Sequence, residues 1–413
     1  MLNKTIVLKN AFYLMLVQGA GYILPLLTFP YLVRVLGPES FGILGFSQAV
    51  IQYVILVTEY GFNWTATQQI AKNHENKIYV SSIFWSVIFA KLILFSASTV
   101  ILVIIFISTD SLQKYLPVIF AFVPMVLGNV LYPVWFFQGI EKMKLITVCT
   151  LTSRFCIIPL TFILVNTPDD VWIAAIIQSC VFIFSAVLSL FIIQRMEYIG
   201  RIQFNLLDIK NRLLDSWHVF ISNSAINLYT TSTIVILGII GNASSVGYFN
   251  AANTIRIAAQ GLLNPIIQAV YPRVSALIDK DYESAIKIIK KTMLIVGGIA
   301  LLGSLTLYCL SPWIIERFVG HGFTESISVL KWMSFMPFII LLSNILGIHV
   351  MLTHGFKKAF SRILMFGGGI NLIIVFPLIY TLQENGAAIS MLVTELVITI
   401  LMFKFVKTKK VIF

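Results

Sequence analysis

Ionisable side chains lie deep inside long apolar stretches of this sequence. Lys91, Arg154 and Arg256 are basic, and Glu395 is acidic. An ionised group at the centre of a bilayer costs about 2.5–3.5 kcal/mol on insertion scales, so each should face a hydrated cavity or a partner. The planar guanidinium of Arg can hold two phosphate oxygens. We therefore predict that the three bases line a cationic cavity that binds a diphosphate headgroup.

Other residues have two interpretations that the sequence leaves open. Lys331 and Arg34 lie nearer the outer ends of their segments, where a long basic side chain can reach the membrane interface instead of lining a cavity. Glu395 could neutralise one of the bases, or it could titrate and couple transport to H⁺ or Na⁺. Pro25 and Pro30 predict a kink in the first segment, which is either a gate or a static bend. No other cofactor and no metal site are expected.

The elements that carry these residues are membrane-spanning helices. The chain of 413 residues is 58% hydrophobic and only 11% charged, with a mean hydropathy of +0.93. Soluble domains carry about 25% charged residues. A helix of about 20 apolar residues crosses a bilayer, and backbone groups in lipid must be hydrogen-bonded internally. We predict an all-α polytopic protein with about twelve spans, at 11–35, 41–62, 80–106, 116–138, 145–165, 171–194, 217–240, 246–272, 290–314, 327–353, 359–381 and 386–406.

The positions of Lys and Arg predict the orientation. With both termini in the cytoplasm, the cytoplasmic segments hold 22 basic residues, and the opposite loops hold three, Arg34, Lys114 and Arg317. Such a bias is typical of membrane proteins, whose cytoplasmic loops are the basic ones. It also accounts for the net charge of +12 without nucleic acid as a partner.

A weak internal repeat predicts two lobes of six spans. Gly37–Gly42 joins spans 1 and 2, and Gly241–Gly247 joins spans 7 and 8; Leu127–Leu131 likewise matches Leu342–Leu346. Repeats in the same orientation imply two bundles with a cavity between them that can open to either side. The predicted division is an N-terminal lobe over 1–194, a cytoplasmic linker over 195–216 and a C-terminal lobe over 217–413.

Several segments resemble the Wzx-type O-antigen flippases, and the resemblance extends over essentially the whole chain. The segments are Leu24–Pro38, Glu59–Phe62, Trp135–Met143, Phe249–Arg256 and Gln260–Pro265. The family belongs to the superfamily of the MATE exporters and the lipid II flippase MurJ. The resemblance implies alternating access that moves undecaprenyl-diphosphate-linked repeat units between the leaflets of the bacterial inner membrane. It places Arg256 in the span-8 motif, where a cavity arginine is expected, whereas Lys91, Arg154 and Glu395 match no comparable motif.

Other functions fit the sequence less well. A MATE-type drug exporter would share the architecture, but its cationic substrates favour an acidic cavity. A membrane enzyme such as a polysaccharide polymerase should carry a large outer loop with catalytic residues, and the outer loops here are short. An ATP-driven pump would need a phosphate-binding G-x-x-x-x-G-K-[ST] loop, which is absent. We expect a transporter and not an enzyme, with the polymerase and the chain-length regulator as further partners.

Overall fold

The computed structural model describes residues 4–196, 198–278, 280–409 and 411, which are almost entirely helical and contain no β-strand. Short 3₁₀ segments lie at Asp110–Tyr115, Pro168–Asp170 and His321–Phe323, and π-helical turns lie at Ile315–Val319 and Ile345–Leu352. The α-helices of this part of the chain are α1 (Lys4–Glu59), α2 (Phe62–Lys72), α3 (Lys77–Ser108), α4 (Leu116–Leu131), α5 (Val134–Gly139), α6 (Met143–Leu164), α7 (Val171–Arg195), α8 (Leu206–Thr230), α9 (Ser232–Ile240), α10 (Ala243–Gly261), α11 (Asn264–Leu277), α12 (Tyr282–Ile314), α13 (Glu325–Met333), α14 (Met336–Asn344) and α15 (Lys357–Thr408).

The predicted class of fold, an all-α polytopic membrane protein, is confirmed. In the described part of the chain, eight helical stretches are long and apolar enough to cross a bilayer. Two of them, Leu24–Lys72 and Lys357–Thr408, have 49 and 52 residues, which is enough for two crossings each at 1.5 Å per residue. Non-helical backbone divides both long helices, at Gly37 (φ 69°) in α1 and at Gln383 (φ 47°) in α15. Both breaks fall between predicted spans.

The turn at Gln383 is held by its own side chain. A positive φ is unfavourable for a residue other than glycine and persists where the surroundings fix it. The Oε1 atom of Gln383 accepts hydrogen bonds from Ser245 Oγ at 2.7 Å and from Asn242 Nδ2 at 3.4 Å. Asn242 also begins α10, because its side-chain oxygen accepts a hydrogen bond from the Ser245 N–H at 2.8 Å. One cap therefore connects the start of α10 to the turn inside α15.

One predicted span, 116–138, contains a break in the helix, at Tyr132. Tyr132 is extended (φ −94°, ψ 94°) because the following residue, Pro133, disfavours the helical conformation in its predecessor. At Thr231, Leu262 and Ser334, where three other predicted spans divide into successive helices, the backbone keeps right-handed helical dihedral angles. Hydropathy locates apolar segments, and it carries no information on where a helix breaks inside one.

The described chain divides into two compact units. Unit 1 contains the described parts of Met1–Leu36 and Ile43–Ser224, and unit 2 contains Gly37–Gly42 and the described part of Ala225–Phe413. The predicted linker, 195–216, lies within unit 1. Its Gly200 N–H donates a hydrogen bond to Ser81 Oγ at 3.0 Å, and Ser82 Oγ donates one to Asp208 Oδ2 at 3.3 Å. Hydrogen bonds to the start of α3 therefore hold this segment, and the contacts of unit 1 continue into α8.

Each unit has its own apolar core. In unit 1, Trp135 and Phe136 of α5 pack against Phe84 of α3, and all three are buried. Gly139, at the end of α5, lies against Ile70 of α2 so closely that a Cβ atom would contact the Ile70 side chain at 2.6 Å. In unit 2, α11, α12, α14 and α15 contribute to the core, together with the π-helical turn after α14. Small residues allow such close helix approaches inside membranes.

The two turns of the predicted repeat contact each other within unit 2. A Cβ atom on Gly42 would overlap the carbonyl oxygen of Ala243, and one on Gly247 would overlap the carbonyl oxygen of Pro38. The obstacle in each case is backbone, which cannot rotate away as a flexible side chain can. The matching glycines therefore allow two backbones to approach at a distance that any side chain would prevent.

We expect Gly42→Ala and Gly247→Ala each to lower the stability of the detergent-purified protein by about 1–3 kcal/mol, the usual cost of overpacking. Gly303→Ala is the matched control, because a Cβ there meets nothing within 4 Å and alanine favours a helix by up to about 1 kcal/mol. Thermal unfolding followed by circular dichroism measures all three. Unfolding temperatures for Gly42→Ala and Gly247→Ala equal to that of Gly303→Ala would contradict the close contact.

Candidate functional site

Lys91 lies on α3 in unit 1 and is fully buried. Its Nζ atom donates a hydrogen bond to Glu59 Oε1 at 2.9 Å and another to the carbonyl oxygen of Asn129 at 3.3 Å. Glu59 is the last residue of α1, and its side chain is 21% exposed. Of the two environments expected for a buried base, a hydrated cavity or a partner, Lys91 therefore has a partner. Its predicted contact with substrate stays a prediction, but it no longer follows from an unpaired charge.

The surroundings of this ion pair are incompletely hydrogen-bonded. Glu59 Oε2 and Asn129 Oδ1 are buried and have no hydrogen-bond partner in the described part of the chain. Removing one partner of a buried ion pair leaves the other charge without compensation, which usually costs more than the intact pair contributes. The pair therefore fixes the relative positions of α1, α3 and α4 within unit 1.

Arg154 lies in the middle of α6, also in unit 1, and is half-buried. Its Nη1 atom is buried and has no hydrogen-bond acceptor among the residues that the structure describes. On α1, a Cβ atom on Gly21 would be 3.4 Å from Nη1. The hydroxyl of Tyr132 is near enough to interact electrostatically with the guanidinium. Its predicted contact with substrate stays a prediction.

Arg256 lies on α10 in unit 2 and is 7% exposed. Its Nε atom donates a hydrogen bond to Asn253 Oδ1 at 2.8 Å, and Nη1 donates one to Gln260 Oε1 at 2.7 Å. These partners precede and follow Arg256 by three and four residues, so all three side chains lie on one face of the helix. The face holds the guanidinium in a fixed orientation, through bonds that use two of its five N–H donors.

Glu395 on α15 is the acidic group that acts on Arg256. The two charges interact electrostatically within unit 2, although no hydrogen bond or ion pair within 4.0 Å joins them in the described part of that unit. Glu395 is half-buried. This interaction favours the interpretation in which Glu395 compensates the charge of a base, here Arg256. A role in ion coupling stays a prediction.

The remaining predicted residues lie near helix ends or in regular helix. Lys331 of α13 has its Nζ atom 5.8 Å from the centre of the Tyr308 ring, and Arg34 is exposed. The backbone of α1 has helical dihedral angles at Pro25 and Pro30, and its non-helical residue is Gly37. The proposed contributions of Lys331 and Arg34 to a cavity, and of the two prolines to a gate, stay predictions.

Sequence reasoning missed three side chains of these sites. Asn253 and Gln260 were identifiable, because their spacing from Arg256 is that of one helical face. Glu59 gave no comparable signal, since it lies near the predicted end of span 2 and 32 residues away from Lys91.

The comparisons with known proteins bear on the whole chain. The family described as "Polysaccharide biosynthesis protein" matches residues 7–278. The chain belongs to this family. It is 46% identical over 410 residues to a protein of Escherichia coli (strain K12) named "Putative O-antigen transporter", with 99% of each chain covered. A Shigella dysenteriae protein of the same name is 33% identical, with 97% of this chain and 100% of that protein covered.

Solved structures with the same fold are transporters. An inward-facing multidrug resistance MATE family transporter aligns with a TM-score of 0.76 at 15% identity, covering 94% of each chain. The lipid II flippase MurJ in an inward closed conformation aligns with a TM-score of 0.72 at 14% identity, covering 97% of this chain and 87% of that one. At such identities the likeness shows the fold alone. The relatives in the family are named transporters and not enzymes, so this is a multi-pass membrane transporter.

We expect Lys91→Met to destabilise the protein by about 3–5 kcal/mol, because it leaves the Glu59 carboxylate beside an apolar side chain. The double variant Lys91→Met/Glu59→Gln should recover most of this loss, since it removes both charges. Lys331→Met is the control, with an expected change below about 1 kcal/mol because its cation–π contact is with the exposed ring of Tyr308. Unfolding of the purified variants forms a double-mutant cycle. A coupling energy near zero between positions 59 and 91 would contradict the pairing.

Proposed function

We propose that this protein flips undecaprenyl-diphosphate-linked O-antigen repeat units from the cytoplasmic to the periplasmic leaflet of the inner membrane. The observation that carries the proposal is Arg256, a buried arginine in the segment Phe249–Arg256, within the residues that match the polysaccharide biosynthesis family. An ionisable residue buried among the helices of a membrane protein is costly, which marks it as a candidate for function. The full-length relatives named O-antigen transporters support the substrate class.

Arg256 has the remaining hydrogen-bonding capacity that a phosphate requires. A guanidinium carries five N–H donors, of which Asn253 and Gln260 occupy two. The others can form charge-assisted hydrogen bonds to the oxygens of a diphosphate, which are about twice as strong as bonds between neutral groups. The two amides orient the side chain before the lipid arrives, so little further conformational freedom is lost on binding.

Glu395 supplies a means of coupling this binding to an ion. An anion bound at Arg256 offsets the positive charge that stabilises the Glu395 carboxylate. Binding of the anion and uptake of H⁺ or Na⁺ at Glu395 then favour each other, as linkage between two sites requires. Release of the ion on the other side of the membrane would weaken the hold on the lipid and complete an alternating-access cycle.

The proposed setting follows from the proposed substrate. A flipped repeat unit is consumed on the periplasmic side, where polymerisation extends the polysaccharide. We accordingly propose the polysaccharide polymerase and the chain-length regulator as partners, with membrane lipids around the spans.

Arg256→Ala should abolish surface O-antigen in a deletion strain complemented with the variant, and Arg256→Lys should retain part of it, because Lys keeps the charge but not the planar set of donors. Arg362→Ala is the matched control, since Arg362 is exposed in the same unit. Lipopolysaccharide gels with immunoblots for protein level give the measurement. Wild-type O-antigen from well-expressed Arg256→Ala would remove this residue from the mechanism.

Glu395→Gln should slow transport in proteoliposomes and remove its dependence on a pH or Na⁺ gradient. An amide is neutral, so it neither exchanges a proton near neutral pH nor offers a negative charge to Na⁺. The rate of movement of a labelled lipid-linked oligosaccharide, with and without the gradient, measures this. Transport by Glu395→Gln that responds to the gradient as wild type does would contradict the coupling and leave the flippase proposal intact.

A further inference from the structure

The first helix packs alongside α6 at two polar contacts within unit 1. Thr147 Oγ1 donates a hydrogen bond to the carbonyl oxygen of Tyr13 at 3.1 Å. The hydroxyl of Tyr31 donates to the carbonyl oxygen of Val165 at 2.8 Å and lies 3.2 Å from that of Phe162. Residue numbers rise in the same direction along both helices, so the two run parallel.

Arg154 and Gly21 face each other between these contacts. At 1.5 Å per residue, Arg154 is about 10 Å along α6 from Thr147 and about 12 Å from Phe162. The Cβ position of Gly21 is 3.4 Å from Arg154 Nη1 and 4.0 Å from Nη2. The guanidinium therefore lies near the middle of α6, and α1 presents to it a residue without a side chain.

The polar groups near Arg154 do not use its donors. The Tyr132 hydroxyl donates a hydrogen bond to the carbonyl oxygen of Ile146 at 3.0 Å and accepts one from Thr150 Oγ1 at 2.9 Å. It interacts with the Arg154 charge without a hydrogen bond to it. Nη1 is buried with no acceptor in the described part of the chain. A buried donor without an acceptor is costly, and a charged one more so, so such groups are rare in folded proteins.

We propose that Arg154, with the face of α1 at Gly21, forms a binding site for phosphate oxygens in unit 1, in addition to Arg256 in unit 2. The proposal rests on the proposed function for the identity of the passenger. The ligand chemistry is a phosphate or diphosphate group, carried either by a lipid or by the free anion. Gly21 leaves the space next to the guanidinium nitrogens open, and a bulky residue there would fill it. Gly21 is thus a residue that determines access to the site.

The experiment measures binding to the full chain in nanodiscs of phosphatidylcholine. The probes are farnesyl diphosphate, inorganic pyrophosphate and, as a neutral control, farnesol. Arg154→Gln and Gly21→Leu should each weaken the binding of farnesyl diphosphate by about tenfold or more, the effect of losing a charge-assisted hydrogen bond. The affinity of Arg154→Lys for farnesyl diphosphate should lie between those of these two variants and that of wild type. Gly19→Leu is the matched control on the same helix, because a Cβ there meets nothing within 4 Å, and it should bind as wild type does.

Competition distinguishes the source of the phosphate. Displacement of farnesyl diphosphate by pyrophosphate supports a site that recognises the free anion as well, and failure of pyrophosphate to compete supports one that needs the lipid. Either result supports the proposal when Arg154→Gln weakens the binding of farnesyl diphosphate. Equal binding of farnesyl diphosphate by wild type and Arg154→Gln, or by wild type and Gly21→Leu, overturns it, as does wild type that binds neither phosphorylated probe.

Two further measurements separate the site from folding and from the flippase function. Without ligand, Arg154→Gln should unfold at the same temperature as wild type or higher, since an unpaired buried charge has been removed; a lower temperature would mean a structural role and overturn the proposal. The proposed flippase function is rejected by a different result, namely that the wild-type gene does not restore surface O-antigen to a deletion strain. Restoration by wild type together with unchanged binding in Arg154→Gln rejects the unit 1 site alone.

Discussion

The cost of moving an ionised side chain out of water is the constraint on which the interior of this protein depends. The described helices meet it in different ways. Lys91 is neutralised by a carboxylate in direct contact, and Arg256 is held by two amides with a carboxylate farther off. Arg154 has no hydrogen-bonded partner in the described chain. Compensation that is complete favours a structural role, and compensation that is partial leaves a charge able to act on a ligand.

The three buried bases have the same sign of charge, but the degree to which each is compensated differs, and this separates their roles. A pair such as Lys91 and Glu59 ties helices of unit 1 together, and a bound anion would have to compete with a carboxylate 2.9 Å away. Arg256 keeps donors for a ligand while its orientation is fixed by its own helix. Its electrostatic interaction with Glu395 makes the state of one group depend on the other. Because burial makes each of these two charges depend on the other, binding of a lipid headgroup at Arg256 can be linked to binding of an ion at Glu395.

Features set by local chemistry were predictable from the sequence, and those set by packing were not. The apolar segments and the breaks near Gly37 and Gln383 follow from hydropathy, because a chain in lipid must be helical. The partners of Arg256 follow from helical spacing. The pairing of Lys91 with Glu59 depends on how two helices pack, which neither residue reveals. The placement of 195–216 in unit 1 likewise depends on hydrogen bonds such as that from Gly200 to Ser81, between residues distant in sequence.

The central claim is that positive charge inside the membrane recognises the phosphates of a lipid-linked passenger. The most direct test compares two fluorescent lipid-linked oligosaccharides in proteoliposomes containing the wild-type protein, one joined through a diphosphate and one through a neutral linker. Movement between leaflets is read from the fraction of the label that an external quencher cannot reach. The account predicts rapid movement of the diphosphate lipid and none above protein-free liposomes for the neutral one. Equal rates for the two would contradict it.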